Sequence, residues 1–231
     1  MRHAIVILSA ALLAGSLAGA RAQTAPSQGQ AAPATPATAA TLGPGEVVQQ
    51  AAQGMLTDLD KDRDAYRRDP SKVAALVDKY LLPHFDTEFS ARLVLGKYWR
   101  TATPEQRQRF VDAFYHSLLS NYGNALVDFT ANRLKIYPTK VDPDATRATV
   151  RTEVKRDNGD LVSVNYYLRK TPEGWKAWDV VIDGISYVNS YREDFGAQIE
   201  QQGLDAVIKR LQSGESPGAI TKTTGKLSGA H

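Results

Sequence analysis

Cysteine is absent from this chain of 231 residues, and histidine is scarce, with four in total. Without cysteine the protein can form no disulfide, no thiolate nucleophile and no sulfur-ligated metal site. Only His84 and His116 lie away from the two ends of the chain, and they do not have the HExxH spacing of a zinc hydrolase. The sequence therefore predicts a domain that is stabilised by its packed core, without a metal.

Nucleotide-binding motifs are missing as well. The sequence contains neither a Walker phosphate loop nor a GxGxxG turn, and both are glycine-rich devices for approaching phosphates. The formal net charge is only +3, which gives no electrostatic case for nucleic acid. We therefore predict no cofactor, no nucleic-acid partner and no catalytic residue.

The first 22 residues predict a cleavable secretory signal peptide. Arg2 precedes a short stretch of apolar and small residues, and Ala20-Arg21-Ala22 is a typical cleavage pattern. Cleavage would remove Arg2 and Arg21, which leaves 26 basic residues against 25 acidic ones. The exported chain would then be nearly neutral, and its compartment would be the periplasm.

Composition divides the rest of the chain into three parts. Residues 23–45 are rich in Ala, Pro, Thr and Gln, and residues 213–231 also lack periodic apolar positions. Such segments bury too little apolar surface to offset the entropy of ordering, so we expect a tether and a tail. A single folded domain is expected at residues 46–212.

The first half of this domain carries helical periodicity and helix-start signals. Asp69-Pro70 and Asp86 each supply an N-cap, and residues 103–106, Thr-Pro-Glu-Gln, supply a capping box. We expect a helix after each of these starts, and an earlier one whose apolar face runs from Val48 to Leu59. The longest helix should reach about residue 129.

A change to two-residue periodicity then predicts strands. We expect them at residues 133–137, 146–155, 161–169 and 175–182, with Asn158-Gly159 as a hairpin turn. Such short connections give antiparallel neighbours with one face toward a core and the other toward water. Two more helices should follow at residues 186–201 and 204–212.

This order of elements predicts an α+β fold in which a curved, antiparallel, four-stranded sheet is wrapped by helices on one side. The inward face of the sheet and the helices opposite it are rich in large apolar side chains. A solid core and a dry cavity require the same residue types. The sequence pattern therefore does not decide between a solid core and a cavity.

The stretch VVIDGISYVNSYREDF, residues 180–195, places an acid and several hydroxyl side chains near a strand end. A catalytic interpretation uses Asp183 as the acid with a pocket tyrosine such as Tyr166. A structural interpretation makes Asp183 part of a turn and Ser186 the cap of the next helix, and it accounts for every residue of the stretch. We favour the structural interpretation, and an NTF2-like enzyme remains the alternative.

Two blocks carry a family resemblance: LVLGKYWRTATPEQRQRFVDAF at residues 93–114 and WDVVIDGISYVNSYREDFGAQIEQQG at residues 178–203. They stand in the family's order, separated by the predicted strands. With them, the chain resembles the MlaC, or toluene-tolerance, family of periplasmic phospholipid carriers. The resemblance covers about residues 46–212.

The resemblance implies an NTF2-like cone with a deep apolar pocket for acyl chains, and no enzymatic activity. Implied partners are an outer-membrane lipoprotein–porin complex and an inner-membrane ABC transporter with an MCE-domain subunit. Members of the family carry phospholipid between them and so maintain the lipid asymmetry of the outer membrane. Because the transporter consumes the ATP, no cofactor is expected here, and a hopanoid-type lipid is the alternative cargo.

We expect the lipid-binding residues to be apolar side chains that face one another across the sheet and the helices. They are Leu93, Phe114, Leu118, Tyr122, Val150, Val154, Val164, Tyr166, Leu168, Val180 and Ile182. Enclosing an acyl chain saves about 0.8 kcal/mol for each methylene kept from water. A near-neutral surface without a membrane-binding helix suits a carrier that docks on proteins rather than on bilayers.

Overall fold

Helices pack on one face of an antiparallel sheet, so the predicted α+β class is confirmed. This computed structural model describes residues 42–127, 130–156 and 158–215, without the side chains of residues 120–122, 124 and 125. The predicted signal peptide, and most of the predicted tether and tail, lie outside these residues. None of the described helices is long and apolar enough to cross a bilayer.

The first part of the described chain is helical. Its helices are α1 (Pro44–Leu59), α2 (Arg63–Arg68), α3 (Pro70–Tyr80), α4 (Thr87–Leu95), α5 (Lys97–Thr101) and α6 (Pro104–Val127), with 3₁₀ turns at Leu82–His84 and Ala131–Arg133. Asp69 and Asp86 each accept a first-turn backbone N–H at 3.0 Å. Thr103 and Gln106 exchange hydrogen bonds of 3.0 and 3.1 Å. The three predicted helix starts are therefore confirmed.

Three features of the helices were not predicted, and each has a local cause. Helix α1 begins at Pro44, two residues before the expected start of the folded domain, because Pro44 occupies its first turn and Glu46 accepts the N–H of Gly43 at 2.7 Å. Helix α2 was not predicted, and Asp62 caps it. Gly96, with φ of +53°, separates α4 from α5.

The sheet has five strands rather than the four predicted. They are β1 (Leu134–Ile136), β2 (Arg147–Lys155), β3 (Leu161–Thr171), β4 (Gly174–Ile182) and β5 (Ile185–Ser186), in that spatial order and all antiparallel. The fifth strand exists because both Asp183 and Gly184 have positive φ, at 48° and 81°. Two such residues form a tight hairpin turn, so the chain doubles back before the next helix begins.

Strand alternation separates a buried face from an exposed one. On β2 the residues Ala148, Val150, Thr152 and Val154 are buried, while Arg147, Thr149, Arg151 and Lys155 between them are exposed. Strand β3 alternates in the same way over most of its length. We call the two sides the inner and the outer face of the sheet.

A β-bulge in β4 interrupts this alternation. Tyr167 pairs with Asp179 and Leu168 pairs with Ala177, so Trp178 is the extra residue. A bulge bends its strand and turns side chains away from the strict alternation. As a result Trp178, Asp179 and Val180, which are consecutive, all reach the same interior space.

The edge of β4 beside this bulge is joined to the start of α4. The backbone N–H of Asp86 donates to the Ala177 carbonyl at 2.7 Å, and the Ser90 hydroxyl donates to the Trp178 carbonyl at 2.7 Å. Arg169 on β3 donates to the Asp86 carboxylate at 2.6 Å. Asp86 therefore caps α4 and also anchors that helix to two strands.

Helices α7 (Tyr187–Gln202) and α8 (Leu204–Gln212) complete the described fold. Ser186 caps α7 by accepting the Asn189 N–H at 3.1 Å, and Gly203, with φ of +85°, separates the two helices. The Ser186 cap and a break between these two helices were both predicted. Together with α4 and α6 these helices bury an apolar cluster around Phe110 and Phe195, both fully buried.

A second cluster joins α1 to the inner face of the sheet. It contains Val48, Val150, Leu168 and Trp175 among its buried members. The sheet is therefore backed by solid packing at this end. The space that remains open lies farther along the strands.

Candidate functional site

A cavity of about 360 Å³ lies between the inner face of the sheet and the helices. Its volume falls within the range of about 300–1,000 Å³ that is usual for ligand pockets. The wall consists of Val77, Leu81, Leu82, Phe85, Thr87, Ser90, Val111, Phe114, Tyr115, Leu118, Leu119, Gly123, Leu126, Val164, Tyr166, Trp178, Asp179, Val180, Ile182, Tyr187, Val188 and Tyr191. Most of these side chains are apolar, so the space suits an apolar guest.

Two rows of paired strand residues form the sheet side of the wall. Val164 pairs with Ile182, and Tyr166 pairs with Val180. The helical side comes mainly from α6, where Phe114 and Leu118 are one turn apart. Phe114 is held by an edge-to-face contact with Tyr191, whose ring centroid is 5.0 Å away.

Six of the eleven predicted lipid-binding residues line this cavity: Phe114, Leu118, Val164, Tyr166, Val180 and Ile182. Leu93 packs against the cluster of α4, α6, α7 and α8. Val150 and Leu168 belong to the solid cluster under α1, and Val154 to a strand cluster with Val162. Tyr122 lies on α6, and its side chain is outside the described part. Binding of lipid by any of these residues stays a prediction.

Two groups stand out among the sixteen wall residues that were not predicted. One comes from α3 and the segment after it, with Val77, Leu81, Leu82 and Phe85. The two leucines before Pro83 could have indicated this group, because large apolar side chains at the end of a helix need other apolar groups to pack against. The other group, at the start of α7, comprises Tyr187, Val188 and Tyr191.

Asp179 is the one acid in the wall as described. One of its carboxylate oxygens accepts the Val188 N–H at 3.0 Å, and the other accepts the Ser186 hydroxyl at 2.6 Å. Burial raises the pKa of the carboxyl group, and these hydrogen bonds oppose the shift. Both oxygens are thus used to fix the start of α7. This structural role accounts for an acid in the wall without any catalytic role.

Two other polar side chains in the wall, those of Ser90 and Tyr115, also have protein partners. The Ser90 hydroxyl donates to the Trp178 carbonyl, and the Tyr115 hydroxyl donates to Asp78 at 2.6 Å. Burial and Asp78 raise the pKa of Tyr115. Burial also raises the pKa of Tyr166, which keeps that phenol neutral. The cavity lining is therefore mostly apolar, and Asp179, Ser90 and Tyr115 are held by protein hydrogen bonds.

The acid of the alternative enzyme, Asp183, is not part of the cavity wall. Its carboxylate accepts the Ser163 N–H at 3.2 Å, its own N–H donates to the Ser163 carbonyl at 3.0 Å, and Arg156 lies 4.0 Å away. These contacts hold the β4–β5 turn. Asp183 and Tyr166 are not brought together in one site.

Further catalytic candidates find no suitable setting in the described residues. His84 lies in a 3₁₀ turn outside the cavity wall, and burial lowers its pKa. No cluster of metal-ligating side chains occurs among the described residues. The chain has one GxSxG match, GESPG at residues 214–218. Gly214 follows helix α8 rather than a strand, so the strand–turn–helix context of a nucleophile is missing there.

Comparison with known proteins identifies the family. The family model described as MlaC protein matches residues 49–213, well over half of the chain. The chain belongs to the MlaC family. This confirms the resemblance carried by the GKYWRTAT and DGISYVNSYRED blocks.

Relatives of this MlaC family member support the assignment. The chain is 33% identical over 169 residues to the toluene tolerance protein ttg2D of Pseudomonas putida, covering 73% of this chain and 78% of that protein. It is 26% identical over 181 residues to the intermembrane phospholipid transport system binding protein MlaC of Haemophilus influenzae, covering 77% and 84%. A solved phospholipid-binding protein from Ralstonia solanacearum, in complex with a phospholipid, matches with a TM-score of 0.67 and 29% identity. That match covers 73% of this chain and 94% of the solved one.

Proposed function

We propose that this protein is a periplasmic phospholipid carrier whose cavity holds acyl chain. The observation that carries the proposal is a mostly apolar wall around about 360 Å³ of space. Membership of the MlaC family and the likeness to a protein solved with phospholipid support it. The wall offers what an acyl chain requires, which is shelter from water.

The energetics suit both retention and release of lipid. Each enclosed methylene contributes about 0.8 kcal/mol, so ten of them contribute on the order of 8 kcal/mol. Among the described residues, the wall includes no Lys or Arg that would hold a phosphate. The headgroup then stays in water at the mouth of the cavity. Because binding rests on chain burial, a partner with its own apolar path can take the lipid.

We place the carrier between the two membranes of the cell envelope. The signal peptide would export it, and its partners would be the outer-membrane lipoprotein–porin complex and the inner-membrane ABC transporter with an MCE-domain subunit. In that setting it maintains the lipid asymmetry of the outer membrane. It performs no chemistry, in keeping with the hydrogen-bonded state of Asp179.

Organic extraction of the protein, purified without detergent, tests the proposal. We expect mass spectrometry of the extract to find phospholipid in near-stoichiometric amount, and delipidated protein to take up phospholipid from vesicles. A hopanoid in the extract would change the cargo but keep the carrier. Protein that carries no lipid and takes none up would refute the function.

A further inference from the structure

The outer face of the sheet carries a row of basic side chains along β2. Arg147, Arg151 and Lys155 are exposed and lie on this face at every fourth residue. At about 3.4 Å per residue the row is roughly 27 Å long. We call these three residues the basic row.

The basic row has no acidic partners within the part of the chain that the structure describes. There, none of its three members makes an ion pair or a side-chain hydrogen bond. Glu153 is the single acid among the outer-face positions of β2 and β3, and it accepts the Tyr137 hydroxyl at 2.6 Å. Lys135 on β1 pairs with Glu153 in register, which adds a further cation on that side.

One cross-strand pair in the sheet is expected to lower the stability of the folded protein. Arg147 lies directly opposite Arg169, and like charges in direct cross-strand positions are destabilising. Asp86 offsets the charge of Arg169 but leaves that of Arg147. Stability therefore does not explain the row, and an anionic partner would.

Net charge conceals this arrangement. Cleavage of the signal peptide leaves the chain almost neutral, which led us to expect protein rather than bilayer partners. The described fold places four cations and one acid at the outer-face positions of β2 and β3. The outer face of β2 and β3 thus carries an excess of positive charge on a nearly neutral protein.

The composition of this face favours a lipid surface over a protein as the anionic partner. Protein interfaces have a desolvated core of aromatic and apolar side chains. Here the side chains between the cations are Thr149, Glu153, Ser163 and Asn165, and the exposed apolar residues are Tyr167 and Leu161. A loosely spaced row without an apolar core suits mobile phosphate headgroups, which can rearrange around each cation.

We propose that the outer face of the sheet binds anionic lipid surfaces through Arg147, Arg151 and Lys155. Contact is electrostatic and reversible, and the cavity on the opposite face of the sheet takes no part in it. The contact holds the protein near a membrane without inserting it. The proposal is independent of the cargo, since it concerns a different face of the molecule.

Co-sedimentation with vesicles tests the proposal on the mature chain. The vesicles contain equal amounts of phosphatidylcholine and phosphatidylglycerol, and vesicles of phosphatidylcholine alone are the neutral reference. At low salt we expect binding to the anionic vesicles only. The variant Arg147→Gln, Arg151→Gln, Lys155→Gln should bind roughly fivefold more weakly per cation removed, on the order of a hundredfold in all.

A matched variant controls for the change in net charge. Lys72→Gln, Arg100→Gln, Lys209→Gln removes three exposed cations from α3, α5 and α8. It should keep most of the vesicle binding, and so should a variant whose cavity is filled. Both triple variants should melt close to the parent, because all six side chains are exposed.

Four results would overturn the proposal. They are no binding to anionic vesicles at low salt, equal binding to neutral vesicles, equal losses in the two triple variants, and binding that survives high salt. Soluble polyglutamate is the remaining probe. If the basic row binds polyglutamate while anionic vesicles do not bind, the face serves an acidic protein instead.

Discussion

Val164 and Ile182 face each other directly across β3 and β4, and both side chains line the cavity. Val150, on the same inner face, is fully buried in the cluster that joins α1 to the sheet. One face of one sheet therefore forms a cavity wall in one part and solid core in another. This difference allows a matched pair of substitutions.

Val164→Trp should fill the cavity, and Val150→Trp should overpack a core. For the first we expect near-parental melting of delipidated protein with most of the lipid lost. For the second we expect destabilisation of about 1–3 kcal/mol or more. Thermal melting and lipid extraction measure both. If Val164→Trp melts as early as Val150→Trp, the space beside β3 is not available to a guest.

The turn at Asp183 should tolerate asparagine but not alanine. Asparagine accepts the positive φ of 48° and still offers an oxygen to the Ser163 N–H, so its cost should be below about 1 kcal/mol. Alanine loses both, at about 2 kcal/mol. Denaturant titration gives the stabilities, and lipid content should stay parental in each. If the Asp183→Asn protein folds well but carries no lipid, Asp183 takes part in lipid binding and the structural interpretation is wrong.

Two substitutions of Asp86 should separate its role as the cap of α4 from its role as the partner of Arg169. Asp86→Asn keeps an acceptor for the first turn of α4 but weakens the pair with Arg169, so we expect a loss below about 1 kcal/mol. Asp86→Ala removes the cap as well and should cost about 2 kcal/mol. Glu88→Ala, an exposed acid on the same turn, is the control. Equal losses from Asp86→Asn and Asp86→Ala would show that the cap contributes little.

Asp179 should make stability depend on pH in a particular direction. Its pKa is raised in the folded state, so the folded state binds more protons than the unfolded state above the usual aspartate pKa of about 3.9. The contribution of Asp179 to the stability of the folded state is therefore fully present below that pH. It is lost as the pH rises through the pKa that Asp179 has in the folded state. Asp179→Asn should lack this part of the pH profile, measured by denaturation at several pH values. A stability difference that grows in favour of the parent as pH rises would contradict the sign.

Processing after Ala22 should leave Gln23 as the mature N-terminus. The measurement is mass spectrometry of the intact protein released from the periplasm. Small residues at positions 20 and 22 are what signal peptidase requires. Exported protein that retains Arg21 and Ala22 would show that the cleavage site is wrong.

Local chemistry made much of the fold predictable. Asp69, Asp86, Thr103 and Ser186 act as caps within their own first turns, so the signal and its effect lie a few residues apart. Strict alternation likewise gave the buried face of β2. Element types and most boundaries follow from such short-range patterns.

Long-range packing decided the rest. Val150 and Val164 have the same residue type and share a face, yet one packs under α1 and the other lines the cavity. The bulge at Trp178 depends on the pairing of β3 with β4, so β4 read alone cannot reveal it. The β4–β5 turn needed two positive φ angles, and the Asp-Gly pair also fitted a simple strand-to-helix connection.

The attachment of α4 to β4 has a consequence for how this protein behaves when it is concentrated. An open strand edge is a template on which another chain can add a strand, and it promotes self-association. On β4, the N–H of Asp86 and the hydroxyl of Ser90 occupy the carbonyls of Ala177 and Trp178. An incoming strand would first have to displace the start of α4 from these two carbonyls. The contacts between the start of α4 and β4 thus also protect this stretch of the sheet against edge-to-edge aggregation.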